Sequence, residues 1–251
     1  MQITAFQMKM IAIIGMVLQH AALALPDAFP LGVEIFLQIS GGLTFPIMAF
    51  LLVEGFRTTS NISKYKQRIA IFGAISFVPH LFALGSGLNI MFTLLFGLML
   101  LEYHARSGKT GTFWGMAVLL TLISTVFDWG IIGPIVILLY GAMKNEKLRR
   151  ALVPAFFAVG VIVSGALFSA VLSVFNLDMT GYEASPAMMF FPIGALPAIP
   201  LLLMYKGERG RKSKWFFYIF YPAHLVVLAV ISLVMGNNVL VSTIQEMLAK
   251  F

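Results

Sequence analysis

The sequence contains no cysteine and few charged residues. Disulfide bonds and thiolate metal sites are therefore excluded. Without cysteines, the sequence does not indicate whether the protein works in an oxidising or a reducing compartment. Only 11% of the 251 residues are charged, whereas 60% are hydrophobic. No polar stretch between the apolar runs is long enough to fold as a soluble domain, and no internal repeat is evident. These absences indicate one compact membrane domain over residues 1–251.

Long apolar runs predict an all-α fold, a polytopic membrane helical bundle. About 20 apolar residues span a bilayer as a helix, and the runs predict about nine transmembrane helices. We place them near residues 8–25, 33–56, 65–84, 89–105, 112–127, 130–143, 150–175, 187–205 and 214–236. The first is interpreted as a retained helix, and 239–251 as a short C-terminal amphipathic helix. The two runs at 112–143 are short and could form a re-entrant hairpin instead.

The basic residues are distributed asymmetrically along these runs. All of the seventeen Lys and Arg residues except Lys250 precede the first run or lie in alternate gaps between runs. Cytoplasmic loops retain such residues during insertion, so the pattern predicts a cytoplasmic N-terminus and an external C-terminus. We expect a multi-pass protein of the bacterial inner membrane. Its net charge of +7 then follows from loop composition, and no nucleic-acid partner is expected.

Three histidines are predicted at a similar depth on three different helices. His20, His80 and His224 lie ten to twelve residues beyond a basic residue, which is about 15–18 Å at helical rise. Imidazole is costly in hydrocarbon and transfers protons near neutral pH. We predict His20 as the catalytic group, with His224 and His80 as further candidates. The alternative for each histidine taken alone is a neutral buried ring that hydrogen-bonds to a backbone carbonyl and has no catalytic role. No HxxxH or HxH spacing supports a metal site, so no metal is expected.

Polar residues also collect at the two predicted membrane surfaces. Arginine and lysine beside helix starts suit phosphate binding. We therefore predict a cofactor-binding group at the inner surface, although ordinary loop charge explains the same pattern. Its members are Arg57, Asn61, Lys64, Tyr65 and Arg68. The candidate substrate-binding residues are Gln19, Glu54, Asn89, Thr93, Asp128 and Tyr221.

These residues alone leave two functions open. A membrane acyltransferase with a phosphorylated cytosolic donor fits a basic inner mouth and buried histidines. A proton-coupled small-molecule transporter or flippase fits the same features.

Several ordered segments resemble one protein family. They are IAIIGMVLQHAAL at 11–23, FPIMAFLLVEGF at 45–56, FTLLFGL at 92–98, DWGIIGPIVILLY at 128–140 and FYIFYPAHL at 217–225. Taken in order, these segments resemble the TraX family, named for a conjugative-transfer protein that acetylates the N-terminus of F-type pilin. Gln19 stands where that family usually carries an aspartate before the first-helix histidine.

The resemblance implies a specific reaction. TraX proteins are similar to a wider group of transmembrane acyltransferases that use a first-helix histidine as base and cytoplasmic acetyl-CoA as donor. It thus implies that His20 acts in acetyl transfer, directly or through an acetyl-histidine. A non-catalytic role in pilus or envelope assembly is a third alternative.

Acidic residues indicate the acceptor. Asp27, Glu34, Asp128, Asp178 and Glu183 give the predicted outer mouth a negative rim, which attracts cations. We expect an amine acceptor, on a small membrane protein, an amino sugar or a lipid.

Overall fold

The computed structural model describes residues 2–85, 88–108, 110–175 and 185–236. In these ranges the chain forms α-helices, one 3₁₀ helix and short connections. The α-helices are α1 Ala5–Ala24, α2 Leu31–Gly42, α3 Thr44–Thr58, α4 Ile62–Leu84, α5 Ile90–Ser107, α6 Gly111–Ser124, α7 Ile132–Ala142, α8 Glu146–Val174, α9 Ala198–Leu203 and α10 Lys214–Val234, and the 3₁₀ helix is Pro186–Ala195. The predicted helix at 239–251, which contains Lys250, lies outside the described residues. The predicted rim residues Asp178 and Glu183 lie outside them as well.

Local sequence explains where several helices begin. A Thr or Asn side chain accepts a hydrogen bond from a backbone N–H in the first turn, which satisfies a donor that the helix itself cannot pair. These caps are Thr4 of α1, Asn61 of α4, Asn89 of α5, Thr110 of α6 and Asn145 of α8.

Among the described residues, six stretches are long and apolar enough to cross a membrane, which indicates a multi-pass membrane protein. They are Ala5–Ala24, Leu31–Thr58, Ile62–Leu84, Glu146–Val171, Pro186–Leu203 and Trp215–Val234. The all-α prediction is confirmed for the described residues. The predicted count of nine crossings is not, because α6 and α7 are short apolar helices and α5 is not among the six candidate spans.

Prolines divide two of the predicted helices. The run at 33–56 forms α2 and α3, which are separated by Leu43, because Pro46 cannot donate to the carbonyl of Gly42. The run at 187–205 forms the 3₁₀ helix and the short α9, since its prolines remove backbone donors. Both continuous helices were wrong predictions, although each pair still makes one candidate span.

The α6–α7 pair has the dimensions of a re-entrant hairpin. Its helices have 14 and 11 residues, about 21 and 17 Å, which is short of the ~30 Å hydrocarbon layer. In the connecting turn, Asp128 N donates to Leu88 O over 3.0 Å. The neighbouring Asn89 donates its side-chain amide to Gly73 O, halfway along α4, over 2.8 Å. The turn therefore lies beside the middle of a long membrane helix.

Glycines allow α2 to cross the 3₁₀ helix at backbone contact. A Cβ atom on Gly194 would overlap the carbonyl oxygen of Ile39, and one on Gly42 would lie 2.8 Å from Gly194 Cα. Small residues permit such close approach in membrane proteins. This crossing places α2 along one wall of the cavity described below.

Gly194→Val is expected to lower stability by more than about 3 kcal/mol, because backbone atoms cannot move aside as a side chain would. Gly165→Val is the matched control, since a Cβ there meets nothing within 4 Å. Thermal unfolding in detergent measures both variants. Equal unfolding temperatures would contradict the close crossing.

Candidate functional site

A cavity of about 1740 Å³ is lined by residues from both ends of the bundle. At one end its wall contains five basic residues, Lys9, Lys64, Arg68, Arg209 and Arg211. Towards the other end it contains the acidic residues Asp27, Glu34 and Asp128, of which Asp128 lies deepest, in the α6–α7 turn. We call these the basic end and the acidic end. The charged residues named here are therefore separated by sign along the cavity.

Most of the residues predicted from the sequence line this cavity. They are Gln19, His20, Glu54, Asn61, Lys64, Tyr65, Arg68, His80, Asp128 and Tyr221. Four predicted residues do not form its wall, namely Arg57, Asn89, Thr93 and His224.

Two of the three predicted histidines are in direct contact. His20 Nδ1 of α1 lies 2.9 Å from His224 Nε2 of α10, and the two rings are inclined by only 15°. His224 is buried behind His20, at 7% exposure, with Phe220 and Tyr221 against its ring. His20 is half-buried and faces the cavity.

The hydrogen bonds determine which nitrogen of each neutral ring carries its proton. His224 Nδ1 lies 3.1 Å from the carbonyl oxygen of Phe220, which can only accept, so Nδ1 must donate. His224 Nε2 is then an acceptor, and His20 Nδ1 must donate to it. The remaining nitrogen, His20 Nε2, keeps its lone pair and has no hydrogen-bond partner in the described part of the chain.

The third histidine lies apart, towards the acidic end. His80 Nε2 is 3.4 Å from Asp128 Oδ2 of the α6–α7 turn. Trp129, the next residue, has φ 63° and stacks on Phe191 at 4.9 Å. A bulky residue rarely adopts a positive φ, so packing of Trp129 holds this turn in a strained conformation. The turn thereby fixes the position of Asp128.

Asn89 and Thr93, both predicted to bind substrate, lie outside the cavity wall and make structural hydrogen bonds. Asn89 is fully buried; it caps α5 and binds Gly73 O. Thr93 Oγ1 donates to the backbone oxygen of Asp128 over 2.5 Å. Asn89 therefore holds the start of α5 against α4, and Thr93 holds the α6–α7 turn against α5.

The basic end includes residues that the sequence did not single out. Backbone bonds from Ala5 N to Glu208 O and from Phe6 N to Arg209 O hold the loop 205–213 against the start of α1. This loop brings Arg209 and Arg211 into the cavity wall, and Lys9 lies 4.9 Å from the Phe217 ring centroid. From the sequence, Arg209 and Arg211 were recognisable only as basic residues of a predicted cytoplasmic loop.

Other charged residues near this end are engaged in ion pairs. Glu54 Oε1 accepts from the buried Arg149 at 2.9 Å and from Arg57 at 3.3 Å, and Arg57 also donates to Gly141 O. Glu54 and Arg57, both predicted to bind ligand, thus join α3 to α7 and α8.

Burial and the nearby Glu54 raise the pKa of Tyr205, whose hydroxyl therefore stays neutral.

The sequence model of the TraX protein family matches residues 5–232. The chain belongs to the TraX family. It is also 28% identical, over 243 residues, to a probable fimbrial assembly protein FimC of serogroup H1 from Dichelobacter nodosus. That alignment covers 90% of this chain and 94% of the relative. No solved structure matches the chain.

TraX membership gives the histidine pair a particular meaning. At position 19, where the resemblance described above implies a carboxylate that would orient the histidine, this chain has Gln. Here the acceptor for His20 Nδ1 is His224 Nε2. No group of three or more His, Asp or Glu side chains suited to a metal ion occurs among the described residues.

Proposed function

We propose that this TraX-family chain is an integral-membrane acetyltransferase that transfers the acetyl group of cytoplasmic acetyl-CoA to an amine. The observation that supports it most is the free lone pair of His20 Nε2, which faces a large cavity and is oriented by His224. A general base needs such an unpaired nitrogen within reach of its substrate.

The charges at the basic end and the acidic end of the cavity suggest from which side each substrate enters. We place the basic end in the cytoplasm, in agreement with the retention of Lys and Arg on that side. There Lys64, Arg68, Arg209 and Arg211 offer cationic groups to the phosphates of CoA. The thioester arm then extends into the cavity towards His20, and the acceptor enters from the acidic end.

The chemistry requires one base and a thiolate leaving group. A neutral amine attacks the thioester carbon, and His20 Nε2 removes a proton from the attacking nitrogen. As the C–S bond breaks, that proton passes from His20 to the thiolate sulfur. Alternatively, His20 Nε2 attacks the thioester carbon and the C–S bond breaks to release the CoA thiolate. The amine then attacks the acetyl-histidine, the N–C bond to His20 breaks, and the proton lost by the amine ends on the thiolate. Both routes use the same lone pair.

His224 acts as a positioning residue in either route. Its Nε2 lone pair accepts from His20 Nδ1–H, which holds the ring and stabilises the imidazolium that forms. A carboxylate serves this purpose in other histidine-dependent enzymes. A neutral imidazole stabilises a nearby cation by hydrogen bonding alone.

CoA is expected to raise the unfolding temperature of the detergent-solubilised protein, because a ligand that binds only the folded state stabilises it. Pantetheine, which lacks the nucleotide and phosphates, should have a much smaller effect. A transporter of unrelated small molecules or a non-catalytic assembly protein would not respond to either. No shift with CoA at millimolar concentration would therefore contradict the proposal.

The acceptor is expected to be an amine, since Asp27, Glu34 and Asp128 line the acidic end. Acetylation of a cationic amine should weaken as salt rises, because screening shortens the reach of these charges. The name of the Dichelobacter relative supports a small fimbrial or other membrane-inserted protein as acceptor. Initial rates at several salt concentrations measure this effect. Efficient O-acetylation of a neutral sugar, independent of salt, is the contrary result.

A further inference from the structure

Gln38 is a fully buried polar residue with unsatisfied hydrogen-bonding groups. It lies on α2, has 0% exposure and forms part of the cavity wall. Neither its amide nitrogen nor its amide oxygen has a partner in the described part of the chain. A buried amide left unpaired costs free energy, and its retention requires an explanation such as a ligand.

His80 presents a second unsatisfied group to the same cavity. It is 2% exposed, and neither ring nitrogen makes a hydrogen bond to a described residue. Its Nε2 faces the Asp128 carboxylate at 3.4 Å. In the neutral ring with Nε2–H towards that carboxylate, Nδ1 keeps a lone pair. The Asp128 side chain is 37% exposed, although Thr93 and Leu88 hold its backbone.

Gln38 lies between the acidic end and His20. Helices α1 and α2 are antiparallel neighbours, and a Cβ atom on Gly41 would lie 2.6 Å from Gln19 Oε1. Gln38 precedes Gly41 by three residues, so it lies about 4.5 Å further towards the acidic end. A group that moves from the acidic end to His20 therefore passes Gln38.

We infer that Gln38, His80 and Asp128 form the acceptor-recognition site, an inference that rests on the proposed acetyl transfer. Asp128 binds the acceptor as an ammonium ion, R–NH₃⁺. The ammonium ion then moves from Asp128 to His80 Nδ1, which takes one proton and leaves R–NH₂, while Asp128 stabilises the resulting imidazolium. His80 returns this proton to water before the next turnover. This neutral amine is the nucleophile whose second proton passes to His20.

Gln38 selects among amines. Its side chain offers one N–H donor group and one acceptor oxygen, which together match an amide next to the reacting amine. An amine that carries an adjacent amide would satisfy both atoms of Gln38. An alkylamine would leave both unpaired.

The test compares glycinamide with ethylamine as acceptors for the full chain. Gln38→Leu is expected to lower the ratio of kcat/KM for glycinamide over ethylamine about tenfold, the factor that corresponds to about 1.4 kcal/mol. The ratio within each variant cancels any general loss of folded protein. The unfolding temperature of this variant should be unchanged or higher, because an unpaired buried amide is replaced by an apolar group of similar size. An unchanged ratio would overturn the role of Gln38.

The other two residues need separate variants. Asp128→Asn should raise KM for both amines by a similar factor, whereas Glu34→Gln, a second cavity-lining carboxylate, should have a much smaller effect. His80→Gln should reduce kcat with glycinamide but spare methoxyamine, which is already neutral at pH 7.5. Equal loss with both amines would show that His80 does not take the ammonium proton.

A binding measurement separates this inference from the proposed reaction. Glycinamide should stabilise the wild-type protein against heat, and Gln38→Leu should remove that shift while the shift with CoA remains. If the wild-type protein acetylates no amine yet shows this Gln38-dependent shift, the proposed reaction fails and the recognition site stands. Acetylation with no dependence on Gln38, His80 or Asp128 would instead support the proposed reaction and overturn the recognition site.

Discussion

His20→Ala is expected to abolish acetyl transfer while the protein remains folded. The variant removes the only ring nitrogen of the His20–His224 pair that keeps a free lone pair. A general base contributes about 10²- to 10⁴-fold to rate, and a route through acetyl-histidine would lose its nucleophile entirely. His20 is half-buried, and its one described hydrogen bond is to His224. Release of CoA thiol in the presence of an amine measures the effect.

The partner histidine supplies a graded control. His224→Gln keeps an acceptor oxygen near the position of Nε2 and should retain part of the activity. His224→Phe removes the acceptor, so His20 Nδ1 is no longer fixed as the protonated nitrogen. This variant should lose most of the activity. Thermal unfolding with and without CoA verifies folding in each case. Near-full activity of a folded His20→Ala protein would end this account of the site, as would equal rates for the two His224 variants.

Removal of positive charge at the basic end is expected to weaken CoA binding strongly. Each charge-assisted hydrogen bond to a phosphate contributes about 1.5–3 kcal/mol, so a single substitution should cost about tenfold or more in Kd. The variants are Arg68→Gln, Arg209→Gln and Arg211→Gln, all at the cavity wall. Arg68 should have the largest effect, because it is half-buried on α4.

Two exposed basic residues outside the cavity wall serve as matched controls. Arg57 donates to Glu54 and Gly141, and Lys212 is exposed beside Arg211. Arg57→Gln and Lys212→Gln should leave Kd within about twofold, as expected for screened surface charges. Titration of CoA against each variant at fixed ionic strength gives these constants. Similar losses in all five variants would indicate general attraction without a defined phosphate site.

The sequence predicted the helices better than the contacts between them. Apolar runs and loop charges are local signals, and they located most helices to within a few residues. The division at Leu43 depends on how α2 and α3 pack after Pro46 removes a donor. The short α6 and α7 fit a re-entrant hairpin because their turn lies beside Gly73 and Leu88. Helix length alone does not give that position.

The site was predicted in part for a similar reason. Depth along each helix indicated His20 and His224, but it could not show which histidines meet, since helix rotation depends on packing. It placed His80 at a similar depth, but His80 contacts Asp128. Gln38 carries no motif, and only its unpaired burial in the cavity wall identifies it. Arg209 and Arg211 were counted as loop charge because their position depends on contacts with the start of α1.

The most direct measurement uses purified protein in proteoliposomes, with acetyl-CoA enclosed inside and an amine acceptor outside. Acetylated amine is expected to accumulate outside while free CoA thiol appears inside in equal amount, and His20→Ala vesicles should form neither. Vesicles with intact protein that consume no acetyl-CoA, or that acetylate the external amine equally well with His20→Ala, would contradict the proposed transfer.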